Sequence, residues 1–185
     1  MLKLNLGCGN KRMPGFVNVD KFGSPDLRHD LEVFPWPWPD NSVGEVVMNH
    51  VLEHLGESTA TFLGIMKELY RVCAGGARVV IAVPHPRSDD FLNDPTHVRP
   101  ITPGVIHLFS KRLNEEWAKA NKANSPLATY LDVDFEVRHV HCMLTPVWHE
   151  RLTKGEITEE QIPAAAEQFN NVIRQFTIEV EVVKP

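Results

Sequence analysis

Apolar residues near the start of the chain occur in short, nearly continuous runs. These runs cover residues 2–6, 16–20, 45–49 and 77–83, and a shorter, weaker run lies around 26–30. Continuous apolar runs of this length are typical of parallel strands that are covered by helices on both faces of a sheet. The pattern therefore predicts an α/β fold built on a buried, mostly parallel sheet.

Other spacings predict the helices and loops between and after these strands. Apolar side chains recur at helical spacing over 58–73, and Gly75 lies just beyond the end of that pattern. Similar spacing predicts a helix over 103–124 and another near 158–171. The run of alternating prolines and aromatic residues at 34–39 cannot be helical, so we expect an extended loop there.

Apolar and polar residues alternate in the last third of the chain. Alternation over 134–144 and over 174–183 predicts two further strands. Residues 146–171 lie between them as an insertion. Insertions at such positions commonly cap a substrate or form a dimer contact.

A glycine turn and a strand-end carboxylate suggest a nucleoside site. Gly7 and Gly9 follow the first apolar run, and Asp20 ends the second. Glycines allow backbone N–H groups to approach a ligand, and a carboxylate at a strand end can accept both hydrogens of a ribose diol. A dinucleotide fingerprint needs a further glycine where Arg12 stands, and no P-loop sequence is present. The expected ligand therefore has a ribose but no phosphate.

Four motifs in the expected order resemble the class I S-adenosylmethionine (SAM)-dependent methyltransferases, in particular the small type-11-like group. Residues 4–9 read Leu-Asn-Leu-Gly-Cys-Gly, and residues 18–20 read Asn-Val-Asp. Residues 49–54 read Asn-His-Val-Leu-Glu-His, and the glycines at 75–76 precede the fourth long apolar run. Two features depart from the family pattern: Lys11 replaces a glycine, and the first crossover is too short for a normal helix.

The resemblance implies a fold, a cofactor and a set of contacts. The fold is a Rossmann-like, doubly wound sheet of seven strands, with helices on both faces and an antiparallel last strand. We expect a single methyltransferase domain over 1–185, with a cofactor-binding half (1–85) and a substrate-side half (86–185) that carries the 146–171 insertion. SAM is the expected cofactor. Its expected contacts are Asn5, Gly7, Cys8, Gly9, Asn10, Asp20, Lys21, Asp30, Leu31, Asn49 and His50.

The densest polar stretch, residues 85–99, directly follows the fourth long apolar run. A histidine of ordinary pKa can accept a proton from a hydroxyl or amine, so His97 and His85 are the candidate general bases. The alternative is that Asp94 and His97 only fix a proline-rich loop through local hydrogen bonds. Glu53 and His54 either act directly or brace the turn after the fourth strand. A divalent metal held by His85, Asp89, Asp90, Asp94 and His97 is a further alternative, but the stretch has no recognised ligand spacing, and we predict no metal site.

The composition of the chain limits the classes of partner that we expect. A net charge of −5 and a pI near 6.0 make nucleic acid an unlikely partner. No apolar run is long enough for a membrane span, and three widely spaced cysteines suggest reduced thiols in the cytoplasm. We therefore expect methyl transfer to an oxygen or nitrogen of a small-molecule or sugar-like acceptor. A non-catalytic cofactor-binding module and a methyltransferase acting on a macromolecule are the alternatives. The oligomeric state is open, with a homodimer possible.

Overall fold

A single seven-stranded sheet forms the centre of the computed structural model, which describes residues 1–185. The spatial order of the strands is β3-β2-β1-β4-β5-β7-β6, and β7 runs antiparallel to both of its neighbours. This arrangement confirms the predicted doubly wound sheet with an antiparallel last strand. The strands are β1 (Leu2–Leu6), β2 (Val17–Asp20), β3 (Leu27–Arg28), β4 (Val43–Asn49), β5 (Cys73–Pro84), β6 (Phe135–Leu144) and β7 (Ile173–Val182).

All of the helices follow β4. They are α1 (Thr59–Val72), α2 (Asp89–Leu92), α3 (Pro103–His107), α4 (Lys111–Lys119), α5 (Leu127–Leu131), α6 (Pro146–Thr153) and α7 (Ile162–Gln168), with 3-10 turns at Leu52–His54 and Glu159–Gln161. The predicted helix over 58–73 is confirmed, and the Ser58 side chain caps it by accepting a hydrogen bond from the Thr61 N–H. No helix is long and apolar enough to span a membrane.

The predicted continuous helix over 103–124 is wrong, because the chain turns between α3 and α4. Ser110 has extended backbone geometry and caps α4 through the Leu113 N–H. Its hydroxyl also donates a 2.7 Å hydrogen bond to Glu136 on β6, and Ser110 is fully buried. The apolar spacing continues across this break, which is why periodicity alone did not reveal it.

The insertion between β6 and β7 has its own small core. The prediction gave one helix near 158–171, but the structure has α6, a 3-10 turn and α7, and α7 ends at Gln168. Buried apolar residues from α6, α7 and the start of β7 form this second core: Trp148, Ile157, Ile162, Ala165, Val172 and Ile173. The insertion is therefore packed around the end of the β6–β7 pair.

The two faces of the sheet differ in how far helices cover them. One face is the main core, where the β4 and β5 side chains Val46, Met48, Val79 and Ile81 are almost completely buried. No helix connects β1 to β2, β2 to β3, or β3 to β4, so the predicted helical cover of both faces is incomplete. The other face carries a row of ion pairs across four strands: Lys3–Glu45 (2.9 Å), Glu45–Arg78 (3.0 Å) and Arg78–Glu179 (2.9 Å).

Candidate functional site

A cavity of about 230 Å³ opens where the carboxyl ends of β1, β2 and β4 meet. Open α/β sheets bind ligands at this edge, where the strand order reverses. The cavity is lined by Gly7, Asp20, Lys21, Phe22, His29, Asp30, Leu31, His50, Val51, His54 and Leu55. Six of the predicted cofactor contacts therefore line this cavity: Gly7, Asp20, Lys21, Asp30, Leu31 and His50.

Gly7 allows the end of β1 to approach the segment after β4. Its φ is +63°, in the left-handed region, and an added Cβ would lie 2.3 Å from Cγ2 of Val51. A side chain at this position would strain the backbone and would force Val51 to move. Glycine at position 7 therefore fixes the close contact that forms the floor of the cavity.

The Asp20 carboxylate is held in place by two backbone groups. Gly9 N–H donates to Oδ2 and Phe22 N–H donates to Oδ1, each at 2.8 Å. Each carboxylate oxygen has a second acceptor position, which leaves capacity for two more donors. Asp20 is thus oriented before any ligand arrives, with free lone pairs at the cavity wall.

Side chains after β2 and β3 line the other end of the cavity. Lys21 Nζ lies 3.6 Å from Asp30 Oδ2, and Asp30 Oδ1 accepts from the Glu32 N–H. His29 is edge-on to the buried Trp38, and its Nε2 is buried without a hydrogen-bond partner. Burial lowers the pKa of His29, so this ring is neutral near pH 7. A neutral imidazole nitrogen in this position can bond to a polar edge of a flat ligand.

A polar network replaces the helix that normally joins β1 to β2. Asn5 Nδ2 donates to the Lys11 carbonyl and to Asn18 Oδ1, each at 2.9 Å. Asn18 in turn accepts from the Met13 N–H and donates to Asp26, which also pairs with Arg12. Asn5, a predicted cofactor contact, is only 3% exposed and is committed to this network. The network holds the short crossover in a fixed shape.

A second cavity, of about 330 Å³, shares Gly7 with the first and lies on the less covered face of the sheet. Cys8 and Asn49 line it, together with Asn5 and Gln175. Burial raises the pKa of the Cys8 thiol, so Cys8 is a neutral, small side chain here. Asn10 is exposed and lines neither cavity.

His50 stands between the two cavities in a constrained conformation. Its φ is 55°, which is uncommon for a residue with a side chain. Its Nε2 lies 2.8 Å from Gln175 Oε1, and its Nδ1 lies 3.3 Å from Glu53 Oε1. The contact with the Glu53 carboxylate raises the pKa of His50, against the opposing effect of burial.

Three solved structures with a similar fold are SAM-dependent methyltransferases. One from Archaeoglobus fulgidus has a TM-score of 0.57 at 19% identity, over 97% of this chain and 86% of that one. One from Methanosarcina mazei has a TM-score of 0.52 at 15% identity, over 98% and 92%. One from Mesorhizobium loti has a TM-score of 0.50 at 14% identity, over 97% and 90%. No protein-family model and no curated protein matches the sequence.

This chain has the class I methyltransferase fold. The likeness extends over nearly the whole sheet, including the antiparallel strand that distinguishes this fold from dinucleotide-binding domains. At these identities the likeness concerns the backbone arrangement. The chemistry has to be argued from the side chains of this chain.

Neither of the two candidate bases, His97 and His85, lines the first cavity. The His97 side chain is 6% exposed, its Nδ1 lies 2.8 Å from the Phe91 carbonyl, and its ring stacks on that of Phe91. His85 Nδ1 accepts a hydrogen bond from the Arg87 N–H. Burial lowers the pKa of His85, and a neutral ring that accepts at Nδ1 carries its proton on Nε2. In this geometry neither ring presents a free lone pair to the first cavity.

Sequence reasoning missed five residues of the first cavity: Phe22, His29, Val51, His54 and Leu55. Phe22 and His29 adjoin the predicted residues Lys21 and Asp30, so position next to a strand end was the available signal. Phe22 is 71% exposed, which is unusual for a large aromatic side chain. The sequence leaves two roles open for His54, because its hydrogen-bond partner, Thr96, lies 42 residues further along the chain.

Proposed function

We propose that this chain binds SAM and transfers its methyl group to an oxygen or nitrogen of a small-molecule or sugar-like acceptor. The observation that carries the proposal is the Asp20 carboxylate, fixed by the N–H groups of Gly9 and Phe22 at the wall of the cavity. A carboxylate with both oxygens oriented and further lone pairs free is suited to a ribose diol. The class I methyltransferase fold supports the same assignment.

The cavity residues fit the parts of SAM by their chemistry. Asp20 would bind the ribose hydroxyls. Phe22 and Leu31 offer apolar surface for the adenine ring, and the unpartnered Nε2 of His29 and the Asp30 carboxylate offer hydrogen bonds to its polar edge. No basic cradle for a phosphate is present in this cavity, since its one lysine, Lys21, pairs with Asp30.

The methionine part would lie toward Gly7 and the end of β4. Gly7 and the second-cavity residue Asn49 are positioned for the backbone and amide contacts that an amino acid group requires. Bound SAM supplies a methyl group already activated by a positively charged sulfur. The protein therefore has mainly to hold the acceptor in line with that methyl group and to exclude water, and such positioning is worth several orders of magnitude in rate.

Calorimetric titration of the purified protein with SAM and S-adenosylhomocysteine tests the cofactor assignment. We expect saturable binding of both and none of NAD. Asp20→Asn keeps the size of the side chain but removes its charge and one acceptor oxygen. Loss of charge-assisted hydrogen bonds of about 1.5–3 kcal/mol corresponds to binding weaker by roughly 10- to 150-fold.

Asp26→Asn is the matched control. Asp26 also accepts from a backbone N–H, that of Asn18, but it does not line the cavity. We expect this variant to lose some stability and to keep its affinity for SAM. Equal weakening in the two variants, or no SAM binding by the wild type, would contradict the assignment of Asp20 and of the cofactor.

Turnover requires a separate measurement. The wild type is incubated with SAM and a panel of hydroxyl- and amine-bearing small molecules, and formation of S-adenosylhomocysteine is followed by mass spectrometry. Product that depends on one acceptor class supports transfer to that class. Tight SAM binding without product from any acceptor would instead favour a non-catalytic cofactor-binding module.

A further inference from the structure

We propose that Glu53, His54 and His97 form a binding site for a divalent transition-metal cation beside the cofactor cavity. The potential ligand atoms of these three residues lie within 4.8 Å of one another. In a formed tetrahedral site with bonds of about 2.1 Å, ligand atoms are about 3.4 Å apart. The three side chains would therefore have to move together by roughly 1 Å to close the site.

The Glu53 carboxylate is the strongest evidence that something binds here. Glu53 is 0% exposed, and neither carboxylate oxygen has a hydrogen-bond partner. A buried carboxylate without partners is strongly unfavourable unless it is paired or bound to a metal. His50 Nδ1 is the one basic side-chain nitrogen within 4.0 Å of it, at 3.3 Å from Oε1 and outside hydrogen-bond geometry. The His50 ring is therefore the only cation partner of this carboxylate, and Oε2 has no hydrogen-bond partner.

Both histidines are oriented as metal ligands usually are. His97 Nδ1 lies 2.8 Å from the Phe91 carbonyl, and His54 Nδ1 lies 3.3 Å from the carbonyl and 3.0 Å from the hydroxyl of Thr96. Metal-bound histidines commonly donate one ring N–H to a carbonyl, which fixes the ring and leaves the other nitrogen for the cation. Nε2 is the nitrogen left on each ring, and that of His97 lies 3.9 Å from Asp94 Oδ2, beyond hydrogen-bond distance.

The backbone holds the two halves of the site together. The N–H groups of Val98 and Arg99 both donate to the Glu53 carbonyl, at 2.9 and 3.3 Å. The rings of His54 and His97 lie 4.6 Å apart between centroids. The polar 85–99 segment is thereby fixed against the turn after β4, so His97 and Glu53 are neighbours despite their separation in sequence.

The donor set indicates the kind of cation. Two imidazoles and one carboxylate suit Zn²⁺, Fe²⁺, Co²⁺ or Mn²⁺, whereas Mg²⁺ prefers oxygen ligands throughout. Three protein ligands leave coordination positions open, and His54 lines the cofactor cavity. This step rests on the proposed function: the open positions are assigned to the oxygen of an acceptor hydroxyl. A bound cation would lower the pKa of that hydroxyl.

The site is tested with metal-stripped full-length protein titrated with Co²⁺, which reports its ligands in the visible spectrum. We expect one equivalent of Co²⁺ to bind and Mg²⁺ to bind at least about 100-fold more weakly. Glu53→Gln and His97→Gln should each weaken Co²⁺ binding by about 100-fold or more. The control is the double variant His139→Gln/His141→Gln, which removes an exposed histidine pair on β6 and should bind like the wild type.

Thermal unfolding distinguishes loss of the metal site from general destabilisation of the variant. In excess chelator we expect Glu53→Gln to be at least as stable as the wild type, because a neutral amide replaces a buried charge that has no hydrogen bond. Zn²⁺ at about 100 times its Kd should raise the Tm of the wild type by roughly 5–10 °C and leave that of Glu53→Gln unchanged. Absence of Co²⁺ binding, its loss in the β6 double variant, or equal Tm shifts in both proteins would overturn the site.

The acceptor role has its own probe. Acetohydroxamate, a small ligand with two oxygens, should change the Co²⁺ spectrum if open positions are accessible, and an unchanged spectrum would overturn that role. SAM titrations on the same protein separate the two proposals. Co²⁺ binding without SAM binding contradicts the proposed function alone, and SAM binding without Co²⁺ binding contradicts the metal site alone.

Discussion

Replacing Gly7 by alanine tests the contact that closes the floor of the cavity. The substitution forces a side chain into the left-handed region, at a φ of +63°, and places its Cβ 2.3 Å from Cγ2 and 2.7 Å from Cγ1 of Val51. Val51 is 7% exposed and belongs to the main core. Valine is stiff at χ1, so it cannot simply rotate away.

Two terms set the expected loss of stability. Left-handed backbone costs a non-glycine residue about 1–2 kcal/mol, and forcing an extra methyl group into a packed core costs about 1–3 kcal/mol. Gly7→Ala should therefore lower the free energy of unfolding by roughly 2–5 kcal/mol. Gly9→Ala is the matched control, because Gly9 has a φ of +49° but no atom within 4 Å of an added Cβ. Gly9→Ala should therefore lose only the stability that corresponds to the left-handed backbone.

Urea denaturation measures both variants. Alanine also reduces the entropy of the unfolded chain, but this effect is the same at both positions and cancels in the difference. We expect Gly7→Ala to be about 1–3 kcal/mol less stable than Gly9→Ala, at similar m-values. Adding Val51→Ala to Gly7→Ala should recover part of the loss. Equal loss in the two glycine variants, or strict additivity with Val51→Ala, would refute the steric argument.

Two further predictions concern Glu68, which is partly buried, and Ser110, which is fully buried. Glu68 accepts hydrogen bonds from Arg71 and from the Trp36 N–H, and the Arg71 bonds lower its pKa below the ordinary 4.5. The ionised Glu68 therefore stabilises the fold above pH 4.5, and this stabilisation is lost as the pH falls through the pKa of the folded state. Glu68→Gln should lower the free energy of unfolding by about 1–3 kcal/mol at pH 7. It should also flatten the decline of stability in acid, as measured by urea midpoints. Ser110→Ala removes a helix cap and the partner of the buried Glu136, and should cost about 2–4 kcal/mol in the same assay. Thr102→Ala, which removes only the cap of α3, should cost about 1 kcal/mol, and an equal loss would argue against the Glu136 term.

The strands and α1 were predictable because each is decided by residues close in sequence. Apolar runs specified β1, β2, β4 and β5, and helical spacing with the Ser58 cap specified α1. The break at Ser110 was not predictable in this way. Its cause is a hydrogen bond to Glu136, which lies 26 residues further on and on a different element.

The candidate site also contains residues that local sequence identifies and residues whose position depends on distant contacts. Asp20 and Asp30 could be assigned from their positions after apolar runs, because the carboxyl ends of parallel strands meet at one edge. His97 was noticed as a histidine in a polar loop and was expected to act as a base. Its burial and its contact with His54 depend on how the 85–99 segment folds back onto Glu53, and nothing local in the sequence encodes that pairing.

The short first crossover is consistent with the charge of the proposed ligand. Dinucleotide folds place a helix N-terminus against a pyrophosphate, where the positive end of the helix dipole meets negative charge. SAM carries no phosphate and has a positively charged sulfur, so such a helix would contribute little. Here the N–H of Gly9 is turned to Asp20 instead, and the Asn5–Asn18–Asp26 network fixes the loop. The loss of that helix leaves one face of the sheet without cover.

The ion pairs on that face follow from the same loss. Lys3, Glu45, Arg78 and Glu179 occupy neighbouring strands where a covered sheet would carry apolar side chains. Exposed pairs of this kind contribute little stability, but they keep the face hydrated and remove an apolar patch that would favour association. The missing crossover helix, the polar network of the first crossover and the charged sheet face thus belong together, because polar groups occupy the positions that a crossover helix would otherwise cover.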